Sequence, residues 1–378
     1  MKKTLFIIGG MLCISIISGA CSKDEAFNEY ENLVDTLIVT DTTINKDTVI
    51  KNDTIIQNDT IIDKETIIDK DTIIVNDTII KPDTIIKADT IFATDTIIID
   101  KNNHLSDLQL ADPYILKDGI TYYAYGTSRP SVGFEAYKSR NLYEWEYVGF
   151  VLNKENTTAS KDFWAPEVYK INDEYYMFYA ADLKVFVAKS NSPEGPFVQI
   201  EKNITNGIDP HLYIEEGRYY LFYTTVKNGN KIWMGELNKN FTLKKETIHL
   251  CLETDNTESN INEGPFVIKN NSIYYLTYSA FHFKDKNYCV CVATSDSITG
   301  IWVKAHYNPI LQKPDNWVGT GHHSLFIDKE GKNRIVFHAH NNSSSISPRR
   351  MYIGSYEIDN YGTFRVTDNF IVPKIQTK

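Results

Sequence analysis

Three acidic residues precede tyrosine pairs that recur along the C-terminal part of the sequence. Asp112 and Asp209 each lie ten residues before the first tyrosine of such a pair, and Glu263 lies eleven residues before its own. Carboxyl groups that are brought together repel one another, so one tends to hold a proton while another stays ionised. That division suits the hydrolysis of a glycosidic bond, which needs one protonated acid and one ionised base. A single Asp-Pro sequence is more often part of a turn. Three acidic residues at nearly the same distance from their tyrosine pairs instead favour a shared pocket.

The tyrosine pairs belong to five copies of one hairpin pattern. Each copy is a turn followed by a strand of β-branched and aromatic residues, and further short strands flank it, giving four strands in roughly fifty residues. The last rings of the five copies are Tyr125, Tyr179, Tyr223, Tyr278 and His338. Units of this kind are typical of propeller blades. The sequence therefore predicts an all-β fold with a five-bladed β-propeller over residues 105–378; the alternative is a β-sandwich with chance tyrosine pairs.

A propeller would explain how acids so far apart in sequence meet. The innermost strands of the blades line a central axis, and their ends form a natural pocket. Asp112, Asp209 and Glu263 lie at the start of the first strand of their blades, so we expect equivalent positions to bring them together at this pocket.

The motifs around these acids resemble those of glycoside hydrolase family 43. They read Ala-Asp-Pro at Asp112, Ile-Asp-Pro at Asp209 and Asn-Glu-Gly-Pro at Glu263, and the resemblance extends over residues 105–378. It implies an inverting five-bladed propeller in which Asp112 is the general base, Asp209 orients the acid and tunes its pKa, and Glu263 is the general acid. Invertase-like propellers usually carry cysteine at the position of Gly264, which argues against a retaining fructosidase.

The same resemblance suggests further site residues. Trp164, in Phe-Trp-Ala-Pro-Glu, would border a sugar subsite, or serve the structure only. His322, in Gly-Thr-Gly-His, would lie on the axis near a cation or water cluster, with His323 as the alternative. Arg349 would bind substrate, with Arg350 as the alternative. No cofactor is implied for the chemistry, although a structural Ca²⁺ or other cation on the axis is compatible with the family.

The N-terminus has the features of a bacterial export signal. Residues 1–20 contain two lysines, a short apolar stretch and three small residues before Cys21. The apolar stretch is short for a membrane span, and the ending resembles a lipobox, in which the cysteine is acylated. We therefore expect an outer-membrane lipoprotein of the bacterial cell envelope, exposed at the cell surface and attached to the membrane by its lipid alone. The alternative is an ordinary cleaved secretory signal.

Residues 21–104 form a tether with a six-residue repeat. From Asp35 to Asp95 an acidic residue recurs at every sixth position, followed by threonine and usually by two aliphatic residues. An even period keeps the same faces along an extended chain, and Thr-Ile-Ile runs disfavour helix. The prediction is an extended or disordered stalk, and the alternative is a small β-solenoid or a β-rich oligomeric stalk.

The net charge of the chain bears on its binding partners, and its cysteine content bears on disulfide bonds. The formal net charge of −10 argues against nucleic acid as a partner. Three cysteines, Cys251, Cys289 and Cys291, remain beyond Cys21, and an odd number indicates no disulfide framework. We expect them to be small buried apolar residues.

Together these features predict a glycoside hydrolase acting on oligosaccharides or polysaccharides. The resemblance implies release of α-L-arabinofuranosyl or β-D-xylosyl residues from plant-type glycans, with inversion. The alternative is a surface lipoprotein that binds glycans without cleaving them; loss of one of the three acids would be its mark, and all three are present.

Overall fold

The computed structural model describes residues 105–254 and 256–376, and before them only the backbone of short strands. The chain divides into two compact units between His104 and Leu105. Cys21 lies outside the described residues.

In the N-terminal unit, parallel pairing joins residues three hexads apart, as Thr36 pairs with Thr54 and Thr54 with Thr72. The extended tether and the β-solenoid both stay predictions. The strands are Phe6–Ile8, Met11–Cys13, Thr36–Thr40, Thr43–Ile44, Val49–Lys51, Thr54–Asn58, Ile61–Ile62, Ile67–Asn76, Ile79–Ile80, Ile85–Ala93 and Ile97–Ile98.

The second unit is a five-bladed β-propeller, as the sequence predicted. Each blade is an antiparallel sheet of four strands in chain order, the first innermost. Blade 1 contains Ala111–Asp118, Thr121–Thr127, Gly133–Ser139 and Glu144–Asn153; blade 2 contains Trp164–Ile171, Glu174–Ala181, Lys184–Ser190 and Val198–Gln199, with Thr205–Asn206 added to its third strand; blade 3 contains Ile208–Glu215, Arg218–Thr225, Lys231–Leu237 and His249–Leu252. Blade 4 contains Asn262–Asn270, Ile273–Ala280, Cys289–Ser295 and Val303–Lys304; blade 5 contains Gly321–Ile327, Asn333–Ala339, Arg350–Ile358 and Phe364–Ile371.

Helical structure in the propeller is limited to single turns. The 3₁₀ helices are Lys154–Asn156, Lys245–Thr247, Asn256–Glu258 and Pro314–Asn316.

The two ends of the propeller unit meet on blade 1. The last strand, Lys374–Gln376, pairs in parallel with the outer strand of blade 1 at Glu144 and Trp145. It also pairs antiparallel with Leu105–Asp107. This pairing covers the outer edge of blade 1, which would otherwise present unpaired backbone groups.

The tyrosine-rich second strands are buried because each lies inside its blade and packs against neighbouring blades. The rings of Tyr179, Tyr275 and Phe337, from three different blades, belong to one hydrophobic core cluster. Strands that are buried on both faces read as near-continuous apolar runs, which is why the hairpins stand out in the sequence. Cys251, Cys289 and Cys291 are buried with free thiols, as predicted.

Every innermost strand carries the same irregularity near its start. The pairing with the second strand skips two residues in each blade. The first skipped residue has a left-handed backbone, with φ between 43° and 57°, in all five blades: Asp112, Ala165, Asp209, Gly264 and His322. Such bulges re-aim side chains, and strained backbone of this kind often marks functional sites.

The bulges correct one prediction from the sequence. Asp112 and Asp209 do occupy equivalent positions, but the equivalent residue in blade 4 is Gly264. Glu263 lies one residue earlier, where blade 2 has Trp164. This offset is the reason for the spacing of eleven residues rather than ten.

Candidate active site

A small cavity lies where the five bulges converge, with about 270 Å³ of empty space that includes open solvent. Every blade contributes to its wall, and the prolines after the bulges in blades 1 to 4 form part of the lining. The lining residues are Asp112, Pro113, Tyr114, Ala165, Pro166, Glu167, Asp209, Pro210, Gly264, Pro265, His322 and His323.

Asp112 is buried and held as an anion. Arg349 donates from Nη1 to Oδ1 at 2.7 Å and from Nη2 to Oδ2 at 3.3 Å. The backbone N–H of Asp112 donates to Nδ1 of His338 at 3.1 Å. Burial alone would raise the pKa of Asp112, but Arg349, His322 and His338 outweigh burial and hold the pKa below its ordinary value.

Glu263, unlike Asp112, tends to keep its proton. Its Oε2 accepts a hydrogen bond from Nδ2 of Asn230 at 2.7 Å, and its Oε1 accepts one from the hydroxyl of Tyr288 at 2.9 Å. Burial raises the pKa of Glu263 to about 7, although both hydrogen bonds act to lower it. The negative charge of Asp112 adds to the rise, so the carboxyl group keeps its proton well above the ordinary range of glutamate.

Asp209 connects the two sides of the cavity. Its Oδ2 accepts the backbone N–H of Gly264 at 3.1 Å, directly after Glu263 in the chain. Burial, followed by the charges of Glu263 and Asp112, raises the pKa of Asp209. A protonated or proton-sharing Asp209 thus lies beside Glu263, and its role in tuning the acid stays a prediction.

Glu167, a further carboxyl group at the cavity wall, belongs to a network of structural hydrogen bonds. Nδ1 of His211 lies 2.9 Å from Oε2 of Glu167, which also accepts the hydroxyl of Tyr169. Nε2 of His211 accepts the backbone N–H of Val267 at 3.0 Å. These hydrogen bonds join blades 2, 3 and 4 beneath the cavity.

The structure separates the two arginines that the sequence left as alternatives. Arg349 contacts Asp112, whereas Arg350 donates to Asp107 and to Asn341. Arg350 therefore belongs to the packing around the chain ends. Trp164 is half-buried and lies one residue before the cavity-lining Ala165, so its role in sugar binding stays a prediction.

The adjacent histidines have different surroundings. His322 lines the cavity with Nδ1 at 3.5 Å from Oδ1 of Asp112. His323 is buried, with Nε2 at 2.6 Å from the hydroxyl of Thr277. Burial lowers the pKa of both rings, to about 3 for His323, which makes them neutral at ordinary pH.

The donor set near His322 does not fit a cation held by protein side chains. Within residues 105–254 and 256–376 there is no group of three or more His, Cys, Asp or Glu side chains arranged to hold a metal. Ca²⁺ prefers six to eight oxygen ligands, and the carboxylate nearest to His322, that of Asp112, is already paired with Arg349. A cation at His322 stays a prediction, and no step below depends on one.

Three residues of the site have no motif that sequence analysis singled out. Asn230 and Tyr288 reach Glu263 from connecting segments, where position cannot be deduced from strand periodicity. His338 was aligned with the tyrosines of the hairpins, but Phe337 lies opposite the bulge of blade 5, as Tyr278 does in blade 4, and His338 pairs with Gly321. The sequence signal that could have identified His338 is that it ends the fifth copy of the hairpin pattern, whereas the other four copies end in tyrosine.

Comparison with known proteins identifies the group to which this site belongs. Residues 102–364 match the family described as glycosyl hydrolases family 43. The chain belongs to this family. It is a glycoside hydrolase, as the similar proteins described next also indicate.

Two curated relatives and two solved structures are similar to this chain. The chain is 27% identical over 257 residues to a β-D-galactofuranosidase of Aspergillus niger, covering 60% of this chain and 73% of the relative. It is 26% identical over 206 residues to an extracellular exo-α-(1→5)-L-arabinofuranosidase of Streptomyces chartreusis, covering 47% of this chain and 62% of the relative.

Among solved structures, an endo-1,4-β-xylanase from Bacteroides thetaiotaomicron is 35% identical with a TM-score of 0.70, covering 73% of this chain and all of that one (100%). A thermostable family-43 glycoside hydrolase is 31% identical with a TM-score of 0.65, covering 70% of this chain and 95% of that one.

Proposed function

We propose that this glycoside hydrolase releases α-L-arabinofuranosyl or β-D-xylosyl residues from plant-type oligosaccharides and polysaccharides, with inversion at the anomeric carbon. The observation that carries the proposal is the opposite displacement of the pKa values of two buried carboxyl groups that act on each other: that of Asp112 is lowered and that of Glu263 is raised to about 7. Pairs of carboxyl groups separated in this way divide into a base and an acid.

In the proposed reaction, Asp112 accepts a proton from a water molecule as the water attacks the anomeric carbon. Glu263 gives its proton to the glycosidic oxygen as the bond from that oxygen to the anomeric carbon breaks. Asp209 keeps Glu263 oriented through the hydrogen bond that it accepts from the Gly264 backbone. In one turnover Glu263 loses one proton and Asp112 gains one, so the number of protons on the enzyme does not change.

The choice of sugar is supported by the similar proteins. Their names specify a β-D-galactofuranosidase, an exo-α-(1→5)-L-arabinofuranosidase and an endo-1,4-β-xylanase. Arabinofuranosyl and xylosyl groups are the pentosyl groups that these names include. We assign Trp164 and the donors of Arg349 to the binding of the sugar.

We also propose that the chain is a lipoprotein of the cell envelope, anchored by an acylated Cys21. Among the described residues no helix is both long and apolar enough to cross a bilayer. Cells that express the protein with a clickable fatty acid should label the wild type and not Cys21→Ala. Equal labelling of both would exclude acylation at this cysteine.

Substitution of the two carboxyl groups gives a specific pattern across substrates. Asp112→Asn should lower kcat/KM by about 100- to 10,000-fold on every substrate, because no group then activates water. Glu263→Gln should cause a loss of that size on natural linkages and a much smaller loss on nitrophenyl glycosides, whose leaving group needs no proton. A panel of nitrophenyl arabinofuranoside and xyloside, with the corresponding oligosaccharides, measures both effects and identifies the sugar.

Glu236→Gln is the matched control for these variants. Glu236 is 8% exposed, as is Glu263, but it pairs with Arg218 and Lys244 on blade 3. Its substitution should leave kcat/KM unchanged. Near-normal hydrolysis of oligosaccharides by a folded Asp112→Asn or Glu263→Gln variant would contradict the assigned roles.

The pH dependence follows from the directions of the two pKa shifts. Asp112 must be ionised, and because its pKa is lowered, kcat/KM should persist to pH values below about 4, the ordinary aspartate pKa. Glu263 must be protonated, so kcat/KM should fall as the pH rises through about 7. Activity on an oligosaccharide that stays constant from pH 6 to beyond about 8 would conflict with Glu263 as the acid.

A further inference from the structure

One loop of blade 4 reaches both halves of the proposed catalytic pair. Residues 281–288 connect the strands Ile273–Ala280 and Cys289–Ser295. Phe283 lies near one end of this loop and Tyr288 at the other. No sequence motif marked either residue, and the proposed reaction does not use them directly.

Phe283 contacts the partner of Asp112. The guanidinium carbon of Arg349 lies 5.0 Å from the centre of the Phe283 ring. The same guanidinium donates two hydrogen bonds to Asp112. Arg349 is therefore held between an aromatic face and a carboxylate, and the cation–π contact restricts the planar group to an orientation that suits both.

The loop is fixed to blade 5 at the level of Phe283. Nε2 of His340 donates to the backbone carbonyl oxygen of Phe283 at 2.8 Å, and the N–H of Gly319 donates to that of Lys286 at 3.1 Å. A Cβ at Gly319 would lie 2.1 Å from the His340 ring, so this close approach requires glycine.

Tyr288 reaches the proposed acid from the other end of the loop. Its hydroxyl donates to Oε1 of Glu263, and its ring stacks on His338 with centroids 5.7 Å apart. His338 in turn accepts the backbone N–H of Asp112. A Cβ at Gly321 would lie 2.4 Å from the tyrosine ring, so the ring is enclosed on that side as well.

We propose that the loop of residues 281–288 is a positioning element for catalysis: Phe283 fixes Arg349 against Asp112, and Tyr288 fixes Glu263. This inference rests on the proposed function. Neither residue is assigned to contact the reacting atoms; each acts through the group that it holds.

Each contact has a different consequence for pH dependence. Arg349 stabilises ionised Asp112, so a less ordered Arg349 lets the pKa of Asp112 rise. The Tyr288 hydrogen bond stabilises ionised Glu263, so its loss raises the pKa of Glu263 further above about 7. The other titratable groups that act on these two carboxyl groups or are coupled to them are His322, His338 and Asp209, and a substitution at Phe283 or Tyr288 replaces none of them.

The two substitutions should therefore act mainly on different limbs of the profile of kcat/KM against pH. Phe283→Ala should shift the acidic limb upward by about one pH unit and the basic limb by less, because Arg349 is paired with Asp112 and acts more weakly on Glu263. Tyr288→Phe should shift the basic limb upward by about one unit and leave the acidic limb in place. Phe283→Tyr keeps an aromatic face for Arg349 and should restore the wild-type acidic limb.

Tyr278→Phe is the control for the loss of a buried hydroxyl group in the same blade. Tyr278 donates to Glu258 at 2.7 Å, outside the cavity lining, so its substitution should shift neither limb. Thermal unfolding of each variant verifies that the measurements are made on folded protein.

The outcome separates this inference from the proposed function. If Asp112→Asn and Glu263→Gln are inactive on oligosaccharides, while Phe283→Ala, Phe283→Tyr and Tyr288→Phe all retain both wild-type limbs, the loop has no positioning role and the inference is wrong. If Asp112→Asn and Glu263→Gln stay active, the proposed function itself fails. A shift of both limbs by Tyr278→Phe would also overturn the inference, because the effect would then be general to blade 4.

Discussion

Three carboxyl groups buried close together cannot all be ionised, and the rest of the site is arranged around that constraint. The guanidinium of Arg349 favours the charge on Asp112. Glu263 and Asp209 are left without a cation of their own, and burial keeps protons on that side of the cavity. The separation of a base from an acid thus results from where a single arginine lies. Because charge–charge interactions are strong in a buried setting, small changes around Arg349 should alter the chemistry.

The propeller makes this arrangement possible by repeating one backbone irregularity. The left-handed bulge occurs in all five innermost strands, but its residue differs: aspartate in two blades, then alanine, glycine and histidine. The same backbone position therefore carries an acidic side chain in blades 1 and 3 and, in blade 5, a histidine beside Asp112. In blades 2 and 4 it carries alanine and glycine, which occupy little space. At Gly264 a Cβ would lie 3.5 Å from the His322 ring, which is ordinary van der Waals contact.

The sequence predicted the blades and the meeting of the three acids because periodic aromatic strands and short motifs are local features. It placed Glu263 in the wrong register, since the shift of one residue depends on where the strand pairing is interrupted. It aligned His338 with tyrosines for the same reason. Asn230 and Tyr288 were not predicted at all, because loop residues reach Glu263 through contacts that no periodicity encodes.

The central claim is that Asp112 and Glu263 act as separate base and acid on opposite sides of the scissile bond. The most direct test is proton NMR of the first-formed sugar during hydrolysis of an active arabinofuranoside or xyloside, recorded before mutarotation. The account predicts that the anomeric configuration of the first product is opposite to that of the substrate. A first product with the substrate's own configuration would contradict it, because retention requires one carboxylate to bond covalently to the sugar.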